Sequence, residues 1–276
     1  MWTRRALLAA LPAAALGASK SKLKIGVMDG ILGLGSNPAS VQAAHDLGFG
    51  GLQVTLGRQS TSGRLPLSNP ETQARFVSES RRLKLPLVST YIDILHIHCL
   101  KNDREAIRWT SEAIQITRNL QAPILMMVFF GDCALNTRAE MDAVIGPFKE
   151  LARAAEKAKI TLGFENTIKA EDDLRILDAV GSPALKIFYD IGNATNLYNV
   201  DPAAEIRALG KQRICQFHFK DKGFLGEGKV DVQAALTAIH DIQWQGSIVL
   251  ETSSPSKNRQ ADLQRNRQYL SALLPR

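Results

Sequence analysis

Eight times between Leu23 and Glu251 a short apolar run is followed by a stretch that is polar, amphipathic or rich in turn residues. No other feature of the sequence restricts the fold as strongly. The runs are 23–28 (LKIGVM), 51–56 (GLQVTL), 86–92 (PLVSTYI), 123–130 (PILMMVFF), 160–165 (ITLGFE), 185–190 (LKIFYD), 214–219 (ICQFHF) and 246–251 (GSIVLE). Each is nearly continuous in apolar residues, the pattern of a strand covered on both faces. Amphipathic segments lie between them, among them Asp103 to Asn119, Arg138 to Lys157, Pro202 to Leu209 and Val232 to Asp241. Strands separated by helices build a parallel sheet. Eight such units in 276 residues predict an α/β chain forming a single closed (β/α)₈ barrel, a fold that takes about 250 residues. An open doubly wound sheet is the alternative, and it needs a glycine-rich phosphate turn after its first strand. Gly30 to Gly35 (GILGLG) stands there, but no helix can start before Asn37-Pro38, so a nucleotide site is not expected. Pro, Gly and Ser gather in 57–70 and 221–230, and no linker, repeat or low-complexity tract divides the chain. One barrel domain over 23–276 follows.

The composition, 45% apolar and 22% charged, is that of an ordinary globular protein. Net charge is 34 − 27 = +7, or +5 without Arg4 and Arg5. The basic residues are scattered among acids, with no basic run interleaved with aromatics, so no nucleic-acid partner is expected. Residues 1–18 (MWTRRALLAALPAAALGA) place paired arginines before an Ala/Leu run that small residues close. The run is too short for a membrane span. This is the order of an export signal, and the arginine pair suggests the twin-arginine route to the periplasm. The alternative is an ordinary amphipathic start to a cytoplasmic chain. No cysteine follows the run, so no lipid anchor is expected. The three cysteines, Cys99, Cys133 and Cys215, are odd in number and lack C-x-x-C spacing. Buried free thiols are expected rather than a disulfide framework or a zinc site, although an exported chain could still bond one pair.

In a barrel of this kind, chemistry sits at the C-terminal ends of the strands. Four consecutive predicted strands, the fifth to the eighth, end in ligand-type residues: Glu165, Asp190, His218 and Glu251. Buried carboxylates are costly unless paired or metal-bound, and three together repel one another. A divalent cation removes that conflict. Three oxygens and one imidazole suit Mn²⁺ foremost, then Mg²⁺, Co²⁺ or Fe²⁺, with Zn²⁺ as a further alternative. Open positions on such an ion fit a vicinal carbonyl and hydroxyl, whose α-proton a carboxylate removes.

Several motifs extend this pattern: Gly163-Phe164-Glu165-Asn166, Tyr189-Asp190-Ile191-Gly192-Asn193, Gln216-Phe217-His218-Phe219-Lys220-Asp221, Leu225-Gly226-Glu227-Gly228 with Val230-Asp231, and Ile248-Val249-Leu250-Glu251. In order and spacing the chain resembles the sugar phosphate isomerase/epimerase superfamily, the xylose-isomerase-like TIM barrels, over residues 23 to 272. The resemblance implies a metal bound by Glu165, Asp190, His218 and Glu251, with Glu165 and Glu251 also moving protons. It implies a small carbohydrate substrate and one divalent ion, and leaves an oligomer open. Two positions depart from the pattern of many ketose 3-epimerases. Asn193 stands where they carry a substrate-binding histidine, and Phe224 where they carry an arginine. The DNA-repair endonucleases of this barrel need three metals and more histidines than His45, His96, His98, His218 and His240 supply.

Lys220, Asp221, Asn166 and Asn193 are candidates for substrate contact, against local salt-bridge and turn roles. Asp29, His96 and His98 follow early strands and could line the mouth. Phe129 and Phe130 pack the core or a pocket wall, Trp244 is structural, and Glu227 faces either the site or solvent. The expected function is a metal-dependent isomerase or epimerase of a sugar or sugar-like keto compound. A lyase or dehydratase on a keto-sugar or 3-keto-glycoside is the alternative, and a non-catalytic sugar-binding module is a third. If the leader is real, the substrate is met where sugar phosphates are scarce and is unphosphorylated.

Overall fold

The computed structural model describes residues 23–274, and the leader segment 1–18 lies outside them. Eight strands, β1 (Lys24–Met28), β2 (Leu52–Thr55), β3 (Leu87–Ile92), β4 (Ile124–Val128), β5 (Thr161–Glu165), β6 (Leu185–Asp190), β7 (Ile214–Phe219) and β8 (Ser247–Leu250), close into a barrel in sequence order. Every neighbouring pair is parallel, including the closing pair β1·β8, where Lys24 pairs with Ser247. The expected barrel and its eight strands are all present. Glu251 falls one residue beyond β8, and Phe129 and Phe130 fall just beyond β4.

Among the described residues nine α-helices lie in the connections and a tenth follows β8: α1 (Ala39–Asp46), α2 (Pro70–Leu83), α3 (Glu105–Asn119), α4 (Arg138–Ala143), α5 (Ile145–Ala158), α6 (Ala170–Val180), α7 (Ile191–Asn196), α8 (Pro202–Leu209), α9 (Val232–Asp241) and α10 (Arg259–Leu273). The single helix expected over Arg138 to Lys157 is broken at Val144 into α4 and α5. Pro147 explains the break. It has no N–H to offer the carbonyl of Ala143, and its ring would clash with that carbonyl, but it is tolerated in the first turn of a new helix. Thr137 and Glu140 start α4 with a capping box, and Asn69 accepts from Glu71 N and Thr72 N to start α2.

Beneath α5, Phe129, Phe148 and Phe164 pack together with ring centroids 5.2–6.1 Å apart. Trp244 donates through Nε1 to Ile214 O at 3.0 Å and sits edge-on to Phe217, the structural role expected of it. It helps line a depression of about 380 Å³ with Lys186, Lys211 and Cys215, at the N-terminal ends of the strands and so opposite the chemical face.

One expectation is corrected here. Cys99 and Cys133 form a disulfide, with Cα atoms 4.8 Å apart, and only Cys215 is free. The pair was invisible as spacing because the two residues are 34 apart. Parallel pairing of β3 with β4 brings the loops that follow them together.

Candidate metal centre and active site

The strand ends of β5, β6, β7 and β8 bring Glu165, Asp190, His218 and Glu251 together. One ligating atom from each lies within 4.8 Å of the others. Register explains the convergence. Asp190 pairs with His218 across β6·β7, and Val128 pairs with Glu165 across β4·β5. His218 is fully buried, and its ring packs at 4.5 Å against Phe188, the residue two before Asp190 on the same inward face. Gly163, two before Glu165, leaves room at that level. A Cβ there would stand 2.6 Å from Cys215 Sγ and 3.2 Å from Phe188 Cβ.

The ring of His218 is oriented from behind. Its Nε2 lies 2.8 Å from Gln53 Oε1, and Gln53 Nε2 lies 3.5 Å from Met126 Sδ. Gln53 Oε1 can only accept, so Nε2 carries a proton. Nδ1 points at the acids, 3.4 Å from Glu165 Oε1, 3.3 Å from Glu251 Oε2 and 3.9 Å from Asp190 Oδ2. Asp190 caps α7: its Oδ1 accepts from Gly192 N at 2.7 Å and Asn193 N at 2.9 Å. That leaves Oδ2 for Lys220 Nζ at 2.8 Å, and Lys220 also reaches Glu251 Oε2 at 2.7 Å. Gly192 is required beneath the lysine stem, because a Cβ there would lie 2.5 Å from Lys220 Cγ and 2.7 Å from its carbonyl oxygen.

Three acids thus share the charge of two cations. Burial disfavours the imidazolium form of His218, but Glu165 and Glu251 more than reverse this and carry its pKa up to about 10. Burial lifts Asp190 to about 7, against the pull of Lys220. Burial also acts upward on Glu251, yet His218 and Lys220 hold it well below the usual carboxylate range. Such an arrangement fits a divalent ion. One ligating atom from each of the four residues lies close enough to the others for a single ion to reach all of them. His218 Nδ1 is the free ligand atom once deprotonated, and Gln53 supports it as the outer hydrogen-bond partner that metal-bound histidines keep.

The other candidates separate into two groups. Lys220 and Asn193 are at the centre, Asn193 donating through Nδ2 to Glu165 Oε1 at 3.1 Å. Asn166 and Asp221 are engaged in loops instead. Asn166 donates to Asp173 Oδ1 at 2.9 Å and accepts from Ile168 N. Asp221 accepts from the backbone N–H groups of Lys222, Gly228, Lys229 and Val230, folding 221–230 onto itself. Asp29 is likewise saturated, by Ser36 N, Thr55 N and Thr55 Oγ1. His98 pairs with Asp103 at 2.6 Å, while Glu227 pairs with Arg265 on the exposed surface. The guanidinium of Arg265 lies 3.8 Å over the Phe224 ring. His96 does face the mouth, in company with Tyr91, Asp93 and Phe130. Gln53 was missed by sequence reasoning. The signal was there: one amide inside the apolar run GLQVTL, on a strand with no solvent face.

The family profile described as xylose isomerase-like TIM barrel matches residues 41–273. No curated protein matches the chain by sequence. Among solved structures, D-allulose 3-epimerase from Methylomonas sp. superposes with a TM-score of 0.73 at 16% identity, covering 92% of this chain and 99% of that one. A xylose isomerase domain protein from Planctomyces limnophilus gives 0.73 at 15% identity, over 92% and 98%. The 3-keto-D-glucoside 4-epimerase of E. coli gives 0.67 at 12% identity, over 90% and 100%. At such identities the likeness is one of fold.

Proposed function

The chain belongs to the xylose isomerase-like TIM barrel family, and from that premise we propose that it is a divalent-metal-dependent isomerase or epimerase acting on a sugar or sugar-like keto compound. The observation that carries this is the convergence of Glu165, Asp190, His218 and Glu251 at one end of the barrel. A bound divalent ion would supply electrostatic stabilisation to a developing oxyanion. Glu165 and Glu251 come from strands separated by β6 and β7, so they approach a substrate carbon from different sides, one suited to take a proton and the other to return it. All four residues, Glu165, Asp190, His218 and Glu251, would hold the ion. Lys220 neutralises surplus charge and, on substrate binding, can donate to a substrate oxygen.

The test is Mn²⁺-loaded protein with a panel of keto-sugars in deuterated water, read by label at the carbon next to the carbonyl. Glu165→Gln and Glu251→Gln should each keep most of the metal and lose about 10²-fold or more in rate. His218→Ala should lose the metal. Turnover at the parent rate in both glutamine variants would defeat the two-glutamate mechanism.

Phe224 favours a second reading. Its ring is packed beneath Arg265, an arrangement unlike the free arginine expected of a ketose 3-epimerase. A keto-glycoside as substrate, with epimerisation or elimination from the same enolate, accommodates that change. We also propose export through residues 1–18. The Cys99–Cys133 disulfide supports it, since such bonds persist in oxidising compartments.

A further inference from the structure

We propose that Tyr91, Asp93 and His96, backed by Phe130, form a hydroxyl-binding wall of the site, with His96 Nδ1 as the atom that accepts from substrate; this rests on the carbohydrate reading above. Position comes first. Gln53 and Met126 face the barrel interior, since the Gln53 amide reaches both His218 and Met126. Gln53 pairs with Ser89, while Thr55 pairs with Tyr91, so Tyr91 lies on that inward face one layer nearer the mouth. Phe130 follows Phe129, whose N–H donates to Glu165 O at 3.0 Å. The His96 ring lies 6.0 Å from Phe130 and 6.3 Å, edge-on, from Tyr91. The wall therefore runs from beside Glu165 round to β3.

Proton accounting then fixes what the wall offers. Tyr91 Oη lies 2.7 Å from Asp93 Oδ1 and 2.8 Å from His96 Nε2. Burial holds the phenol well above its ordinary pKa, so it keeps its proton. The Asp93 carboxylate can only accept, so the phenol donates to it. Tyr91 Oη must then accept from His96, which places the imidazole proton on Nε2. Burial lowers the pKa of His96, favouring the neutral ring. A neutral ring protonated at Nε2 has a bare lone pair at Nδ1, and no described residue bonds to it. The His96 side chain is 22% exposed, so a ligand can reach it.

The wall is also tied down. The Cys99–Cys133 disulfide joins the segment carrying His96 to the one carrying Phe130, and Lys101 Nζ donates to Ala134 O at 2.8 Å across the same gap. Neutral acceptor, carboxylate and aromatic face together suit a hydroxyl donor and the C–H face of a sugar. They suit a phosphate poorly, because Asp93 would repel it; Arg58, the cation that acts on His96, is exposed on the neighbouring loop.

The experiment uses the full enzyme, loaded with diamagnetic Mg²⁺ for spectra and with Mn²⁺ for turnover, with D-allulose, D-fructose and D-tagatose, and the parent together with His96→Leu and Tyr91→Phe. Imidazole ¹⁵N spectra at pH 7 should show His96 neutral and protonated at Nε2, with Nδ1 shifting on addition of sugar. Tyr91→Phe keeps the shape but should release the tautomer into a mixture. His96→Leu should raise KM on the order of tenfold, with kcat within about threefold and metal content unchanged. An imidazolium, an Nδ1–H tautomer, or an unchanged KM in His96→Leu overturns the wall. If the parent converts none of the three, free ketoses are excluded as its substrates, and the ¹⁵N spectra, which need no turnover, still decide for or against the wall.

Discussion

At the scale of single residues, His218 governs how the centre responds to pH. Its folded pKa of about 10 stands above the ordinary 6.5, so its contribution to the stability of the metal-free protein is complete below pH 6.5 and is lost as pH rises through about 10. Asp190, raised from 3.8 to about 7, acts with the same sign, its contribution fading as pH rises through about 7. Thermal melts of metal-free protein should therefore move to lower temperature between pH 6 and 10. Metal binding must displace the His218 proton, so affinity should climb about tenfold per pH unit over the upper part of that range. Titration calorimetry in buffers of different ionisation enthalpy reads the proton directly, and a flat affinity profile would contradict the assignment. Gln53 supplies the complementary test. Gln53→Leu removes the acceptor behind Nε2 and should weaken metal binding 10–100-fold with the barrel intact. A dissociation constant equal to the parent's would show that the amide does not orient the ring.

At the scale of elements, the loops after β3 and β4 behave as one unit because a disulfide joins them. Replacing both cysteines by serine should cost about 2–4 kcal/mol in denaturant unfolding, the usual range for such a cross-link. The parent under reducing conditions should show the same loss, whereas the serine variant should be indifferent to reductant. Equal stability of parent and variant under oxidising conditions would mean that the cross-link adds nothing. Element boundaries also show how far local sequence reaches. Asn69-Pro70 and the Thr137/Glu140 pair mark helix starts that any reader of the chain can find. The break at Val144 was equally local, since Pro147 forbids a continuous helix, yet the apolar periodicity runs through it and conceals it.

At the scale of the whole molecule, the proposed export of a folded, metal-loaded barrel calls for a test that does not depend on the barrel. Residues 1–18 fused to a reporter specific for the twin-arginine route should direct it out of the cytoplasm, and Arg4→Lys with Arg5→Lys should stop it. Reporter retained inside with the native leader would remove the proposal. The barrel itself was legible because eight apolar runs separated by helices admit few closed arrangements. The cluster of Glu165, Asp190, His218 and Glu251 was legible because a barrel presents its strand ends on one face, so a residue's place in its own strand already places it in space. Other features depended on which residues face each other across the barrel, and one chain's order does not carry that. Gln53 meets His218 from 165 residues away, and Cys99 meets Cys133 from the next loop. Asn166 and Asp221 lie one and three residues after Glu165 and His218 in sequence, yet hydrogen bonds to Asp173 and to the 221–230 backbone turn them to loop-building. The sequence alone determined the strands, their order and the acids and imidazole at their ends, because those follow from local periodicity and chain direction. Only the tertiary structure decided which polar groups were left free to face a ligand, because each hydrogen-bonding atom goes to whichever partner closure of the barrel brings within reach.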